Sequence, residues 1–422
     1  MDENIAKLAK YNFWYGNAIE TGFNRDKYTK KILDYLNSRL VKVLVGQRRA
    51  GKSYILRQIA KQLINNGVAA ENIFFINKEF TDFDFISTYK ELESIVKEYR
   101  KNLHTVGKTY LFIDEIQMIE GWEHFVNSYS QNYTEDYEIF ITGSNSQMLS
   151  GELSTLLSGR YVKFEIFPYS YSEYLELTQE QKSKQSYIKY MEYGGLPELF
   201  YLPNDEARTN YISALKDTIL LRDIIQRYNI KDAKLLEDVF IYLVNNASHL
   251  ISITNIINYF ESKKRKTSYD TLSNYIGYME QAYLVHKADR YNIKGKDVIS
   301  GNCKYYINDL SFRKYLYSGF DYGLGNKLEN LIYLELKRKG YIIYTGMMRE
   351  KEIDFVANKE DKIIYIQSCY MLTDESVIIR EYTPLQTIKD SYNKYVVSMD
   401  DFKFSSKEGI EHVQAWEIQD VI

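Results

Sequence analysis

Through the first third of the chain, short runs of β-branched and aromatic residues alternate with longer amphipathic stretches. The runs are VKVLV (41–45), NIFFIN (72–77), TYLFID (109–114), YEIFIT (137–142) and YVKFEIF (161–167), with helical spacing over Lys52–Asn66 and Phe83–His104 between them. Near-continuous apolar strands separated by helices are what a sheet covered on both faces requires, so the pattern predicts an α/β fold with five strands in one parallel sheet. After Tyr169 the apolar spacing turns helical to roughly residue 290. From Leu328 a helix is followed by strand-like YIIYT, EIDFVA and KIIYIQ. Three modules are therefore expected, over residues 1–180, 181–320 and 321–422.

Composition narrows the class without naming a ligand. A chain of 422 residues with 45% hydrophobic and 26% charged positions has enough apolar material for several folded cores and too much for disorder. Lys+Arg (54) nearly balances Asp+Glu (57), so no global field draws the protein to nucleic acid or membrane, and any such binding has to come from a local patch. Cys303 and Cys369 stand far apart, in no spacing that implies a disulfide framework or a zinc site. No basic-then-apolar leader and no run of about eighteen apolar residues is present. The expectation is a cytoplasmic protein with no membrane partner.

The sharpest chemical signal is GQRRAGKS (46–53), a G-x-x-x-x-G-K-S loop placed directly after a predicted strand and before a predicted helix. The letters alone arise by chance in about one or two per cent of chains this long, and the strand and helix context lowers that further. Gly46 and Gly51 let Gln47, Arg48, Arg49 and Ala50 turn their backbone N–H groups toward an anion at a helix N-terminus, beside Tyr54 at the helix start. Lys52 is expected on the β- and γ-phosphates of a nucleotide, and Ser53 on Mg²⁺. A second element, TYLFIDE, ends an apolar strand in Asp114 and Glu115, where ligands bind in open α/β sheets. Asp114 would hold the metal ion through water, and Glu115 would polarise the attacking water at the γ-phosphate. A third, YEIFITGSN, ends in Thr142, Ser144 and Asn145. With this strand between the loop strand and the DE strand, Ser144 or Asn145 can contact the γ-phosphate or the lytic water; the same residues also suit a simple turn.

Beyond these motifs, LSGRYVKFEIFPYSYSEY (157–174), GGLPELF (194–200), LRDIIQRYNI (221–230), TLSNYIGYMEQAYLV (271–285) and KYYINDLSF (304–312) follow in an order that resembles the AAA+ superfamily ATPases carrying a C-terminal region of unknown function. The resemblance covers nearly the whole chain. It implies an ATPase core, a helical lid with a winged-helix unit, and a C-terminal domain similar to restriction-endonuclease-like nucleases of the PD-(D/E)XK type. No guanine-specific N-K-x-D is present, and the resemblance favours ATP.

Three further expectations concern regions outside the loop. Arg160 is a candidate for sensing phosphate charge, either in its own subunit or as an arginine finger across an oligomer interface, with an ordinary salt bridge as the alternative. Arg48, Arg49, Arg222 and Arg227 are rival basic candidates. Ser252–Tyr291 reads as helix, turn, helix and β-wing, with Lys263, Lys264, Arg265 and Lys266 placed to bring DNA phosphates to Ser268, Tyr269 and Asn274; a lid or protein contact is the other use of such a unit. In the C-terminal module Glu329 and Asp354 suit a metal site, but Gln367-Ser368-Cys369 stands where a second carboxylate and a lysine belong, so no nuclease activity is expected. The function expected is Mg²⁺-dependent ATP hydrolysis that drives or gates the appended domains. The alternative is a nucleotide-gated scaffold for DNA or a protein partner with little turnover.

Overall fold

The computed structural model describes residues 3–149, 157, 159–317 and 323–422. Ser158 of the LSGR segment, the N-terminal Met1 and Asp2, and residues 321–322 at the expected start of the third module lie outside the described residues. The chain forms two compact units, Met1–Ile166 and Phe167–Ile422.

In the first unit, β1 (Val41–Val45), β2 (Ile73–Asn77), β3 (Thr109–Asp114), β4 (Tyr137–Gly143) and β5 (Tyr161–Glu165) form one sheet in the order β2-β3-β4-β1-β5. Every pairing is parallel. All five strands were legible as apolar runs because β1 to β4 are covered on both faces. β4 sits between the loop strand and the DE strand, as the candidate chemistry requires. Helices Lys52–Asn65, Tyr89–Leu103 and Trp122–Ser130 supply the crossovers. The second of these begins later than the apolar spacing suggests, because Thr88 and Glu91 form a capping box that fixes its first turn.

One row across the sheet carries the core. Phe75, Phe112 and Phe140 are in register on β2, β3 and β4, with the last two rings stacked 4.5 Å apart. The next residue in that row is Lys42 of β1, fully buried, its ammonium 5.7 Å from the Phe140 ring centre and paired with the Glu138 carboxylate. Glu138 also accepts from the Asn37 amide at 3.0 Å and from Lys108 at 3.3 Å. A charge in a central parallel strand is tolerated only when paired in this way.

The second unit begins with helices, among them Tyr171–Thr178, Lys184–Tyr193, Asp205–Thr218, Ala233–Asn245, Ile253–Ser262 and Tyr269–Gln281. Among the described residues its sheet has eight strands: β6 (Leu250–Ile251), β7 (Val285–Asn292), β8 (Asp297–Ile307), β9 (Ile342–Met348), β10 (Lys351–Lys359), β11 (Lys362–Cys369), β12 (Asn393–Ser398) and β13 (Ile410–Gln414). Their order is β13-β12-β11-β10-β9-β7-β8-β6. β7 joins β9 in parallel over three register positions, so one sheet continues on both sides of residue 320.

Removing Glu138 would leave the Lys42 ammonium buried without its carboxylate. Glu138→Ala is expected to lower stability by about 3–5 kcal/mol in urea unfolding, whereas Lys42→Met combined with Glu138→Leu is expected to fall well short of that loss. Equal losses in the two proteins would show that the pair is not what stabilises this row.

Candidate nucleotide site

The GQRRAGKS loop leaves β1 at the C-terminal edge of the first sheet and enters the helix Lys52–Asn65. Gly46 has φ +145°, and a Cβ there would lie 2.2 Å from the Ile166 carbonyl oxygen, so only glycine lets the loop pass β5 this closely. Gly51 caps the helix at φ +97°. Between them Gln47 and Ala50 are buried, while Arg49 takes a left-handed conformation. The Arg48 guanidinium pairs with Glu79 at 2.6 Å, which occupies one of the rival basic candidates.

Lys52 is buried, and its ammonium donates to the Gly46 and Gln47 carbonyls at 2.9 and 3.1 Å, which folds it back over the loop. Ser53 lies close enough to the Asp114 carboxyl to pull its pKa down, so the two expected metal ligands are neighbours. Asp114 is fully buried. Burial, and then the neighbouring Glu115 charge, push its carboxyl up to about 6 against the opposing pull of Ser53, Thr142 and Lys52. Its two oxygens are held separately: Thr142 donates to one, and the Asn77 side-chain amide donates to the other at 2.8 Å. Thr142 also accepts the Glu115 amide at 2.9 Å. Glu115 has φ +55°, and its carboxylate accepts from the Gln117 side chain.

Ser144 and Asn145 are buried at the end of β4, and among the described residues the Ser144 hydroxyl has no hydrogen-bond partner. A buried hydroxyl without a partner beside the Asp114–Thr142 pair is a group available to a ligand or to water. Tyr54 is partly exposed, with its ring against Gly22 and the Arg57 guanidinium 4.1 Å from its centre. The glycine cradle, the Lys52 ammonium and the Ser53–Asp114 pair thus fit a nucleotide triphosphate tail with a divalent cation.

Arg160 stands elsewhere. Its carbonyl accepts from the Val41 amide, which places it at the opposite edge of the sheet from Val45 and the loop. Four residues of strand, roughly 13 Å, separate these edges. Within its own subunit Arg160 thus lies at the end of the sheet away from the loop. Its exposed guanidinium is 3.3 Å from the Asn127 side-chain oxygen.

Two contributors escaped the sequence reading. Asn77 ends β2 as Asp114 ends β3, so the rule that polar strand tips at this edge form the site would have found it. Arg25 had no such signal: it is buried 25 positions before Ala50, whose carbonyl accepts from it at 2.9 Å. In the second unit, Arg265 of the basic turn is held by Asp232 at 2.8 Å and by Asp238, while Lys263, Lys264 and Lys266 remain exposed. Glu329 and Asp354 do converge, together with Glu352, on Lys304.

Fold and loop together define an AAA-type P-loop ATPase domain, and comparison with known proteins agrees. Residues 38–175 match the family model described as an AAA domain, and residues 184–326 match a domain of unknown function, DUF8612. An uncharacterised protein of Haemophilus influenzae is 34% identical over 94% of this chain and 98% of its own length. A second relative, MJ1544 of Methanocaldococcus jannaschii, is 30% identical over 86% of this chain and 83% of its own. The chain belongs to the family of these two proteins. Among solved structures, a Walker-type ATPase of Pyrococcus abyssi aligns at a TM-score of 0.48 with 16% identity, covering 70% of this chain and 95% of that one. Among the described residues, no helix is long and apolar enough to cross a membrane.

Asn77 holds one Asp114 oxygen and accepts from the Glu79 amide. Asn77→Ala is expected to weaken Mg²⁺-dependent ATP binding about 10- to 100-fold in calorimetry while leaving metal-free nucleotide binding close to wild type. A loss of the same size with and without Mg²⁺ would count against the positioning role.

Proposed function

We propose that this protein hydrolyses ATP with Mg²⁺ and uses the cycle to drive or gate change in its appended domains. The observation that carries the reading is the buried Lys52 folded over the glycine loop, with Ser53 and the buried Asp114 as neighbours and Glu115 next in the chain. Lys52 binds the β- and γ-phosphates, Gly46 to Ser53 cradle them, Ser53 and Asp114 hold Mg²⁺, and Glu115 accepts the proton of the attacking water. The bound cation supplies neutralisation of phosphate charge. Ser144 and Asn145 lie on the strand tip where a γ-phosphate contact would arise. In steady-state phosphate release, Lys52→Ala is expected to abolish turnover through lost nucleotide binding. Glu115→Gln is expected to keep binding and lose about 10²–10⁴-fold in rate. Tight Mg·ATP binding by the wild type with no turnover would instead favour the nucleotide-gated scaffold.

For the appended parts we retain the modules 1–180, 181–320 and 321–422. A winged helix in the second is supported by the order Ala233–Asn245, β6, Ile253–Ser262, Tyr269–Gln281, β7, β8, with β6 and β7 flanking β8. A restriction-endonuclease-like third module is supported by the helix Leu324–Arg338, the antiparallel β9-β10-β11, the helix Glu375–Gln386 and the parallel β12. DNA is the proposed partner of the winged helix through Lys263, Lys264 and Lys266; Arg265 is committed to Asp232 and Asp238. Stimulation of turnover by duplex DNA that disappears when the three lysines become alanine supports this, and indifference to DNA points to a protein partner.

Arg160 we assign to contact with phosphate bound by a second copy of the chain, because its own loop lies at the other sheet edge. Arg160→Ala is expected to leave ATP affinity unchanged and to lower turnover by about 10³–10⁵-fold. Wild-type specific activity is then expected to rise with protein concentration. Activity independent of concentration, and of Arg160, would remove this assignment.

A further inference from the structure

The cluster around Lys304 lies wholly within the second unit and plays no part in the nucleotide reading. Lys304 comes from β8, Glu329 from the helix Leu324–Arg338, and Glu352 and Asp354 from β10. The ammonium meets Glu329 at 2.8 Å, Glu352 at 2.8 Å and Asp354 at 3.2 Å. Strands β7 and β9 lie between β8 and β10 in the sheet order, yet Lys304, opposite Ala288 and short of the positions where β9 joins β7, meets carboxylates of β10. Its side chain is 4% exposed, and those of Glu329 and Asp354 are 9% and 10%.

Two buried carboxylates and the one-third-exposed Glu352, converging on one point, repel one another unless a cation stands among them. In many proteins that cation is a divalent metal, bound at 2.0–2.6 Å by oxygen ligands. Here the three oxygens surround a nitrogen of the protein's own chain instead. Burial pulls Lys304 toward neutrality, but the carboxylates outweigh it and hold the ammonium above its ordinary range. Glu329 is pushed up to about 8 by burial, with Asp354 adding to the effect and Lys304 opposing it.

Several of the remaining lone pairs are already used. The Tyr306 hydroxyl donates to the Glu329 oxygen that Lys304 also contacts, at 2.7 Å. The second Asp354 oxygen accepts from the Ser368 amide at 2.8 Å and from its hydroxyl at 2.9 Å. Gln367 accepts from the Asp354 amide at 3.3 Å and donates to Glu381 at 3.0 Å. Positions 367 and 368 thus contribute neutral donors to carboxylates where a metal centre would need another anion. Among the described residues no group of three or more His, Cys, Asp or Glu is arranged to hold a metal ion.

We propose that the Lys304 ammonium is the built-in cation of this cluster, occupying the position of a divalent metal, so that the cluster is closed to metal in the native protein and opens to it when the ammonium is removed. The ligand class of the opened site is a hard divalent cation, because every donor facing Lys304 is a carboxylate oxygen.

The test uses the full chain without nucleotide, stripped with EDTA and titrated with Mn²⁺, with the free ion followed by electron paramagnetic resonance. Wild type, Asp354→Asn, Lys304→Ala and Lys304→Ala/Asp354→Asn are compared, each checked for folding by circular dichroism. Mn²⁺ held at Ser53 and Asp114 is common to all four and cancels in the differences. Wild type and Asp354→Asn are expected to bind equally, and Lys304→Ala to gain about one Mn²⁺ per chain that the double variant loses. The proposal is overturned if wild type binds a Mn²⁺ that Asp354→Asn removes, or if folded Lys304→Ala gains none. Should Lys304→Ala not fold without metal, recovery of its fold on adding Mn²⁺ supports the proposal. Failure to recover leaves the comparison of wild type with Asp354→Asn to decide it. None of these outcomes bears on ATP turnover, so the two readings fail separately.

Discussion

The carboxylate of Asp114 is the point through which the first unit is tied together. It ends β3, takes hydrogen bonds from the tips of β2 and β4 through Asn77 and Thr142, and meets Ser53 on the helix that follows the loop. Burying a carboxylate is costly, and its upward shift to about 6 records that cost. The surrounding donors hold it in place without neutralising it. A site built this way is most stable when positive charge lies close by, and Lys52 provides part of that charge already. The architecture of the parallel sheet makes the arrangement feasible, since β1 to β4 are covered on both faces and the strand ends beside the loop carry the polar groups of the site.

Because the chemistry is confined to strand tips, much of the site was legible from sequence. Gly46 to Ser53 and Asp114–Glu115 are contiguous motifs, and each follows an apolar run that marks its strand without ambiguity. Asn77 follows the same rule and differs only in belonging to no familiar motif. Arg25 and Arg160 were less accessible for a different reason. Arg25 reaches the loop through the tertiary packing of a segment whose spacing carries no chemical signature. Arg160 adjoins the start of a strand, and only the register Val41↔Tyr161 shows that this is the edge away from the loop.

Strands were found readily and their buried charges were not. VKVLV reads as a strand because four of its five residues are apolar, and the periodicity gives no reason to treat Lys42 as anything but a solvated interruption. In KYYI the same pattern conceals Lys304. Both lysines are almost fully buried, and each is held by carboxylates from distant parts of the chain: Glu138 in one case, and Glu329, Glu352 and Asp354 in the other. A hydrophobicity pattern locates where a chain is covered. It does not register which charges the covering will pair, because that depends on the order of strands in the sheet.

The two lysines also differ in what they imply. Lys42 has its Glu138 partner on the neighbouring strand β4 and serves the row of rings beside it, a local solution to one polar residue in a core. Lys304 gathers three carboxylates from two separate elements, and its removal would expose their mutual repulsion all at once. The missing E-x-K unit at Gln367-Ser368-Cys369 thus does not mean that a lysine is absent from the cluster. A lysine arrives from β8, fifty positions before Asp354. It arrives as the centre of the carboxylates and not as a neighbour to a metal among them, and a side chain placed there fills the space in which a metal-bound water would have to form.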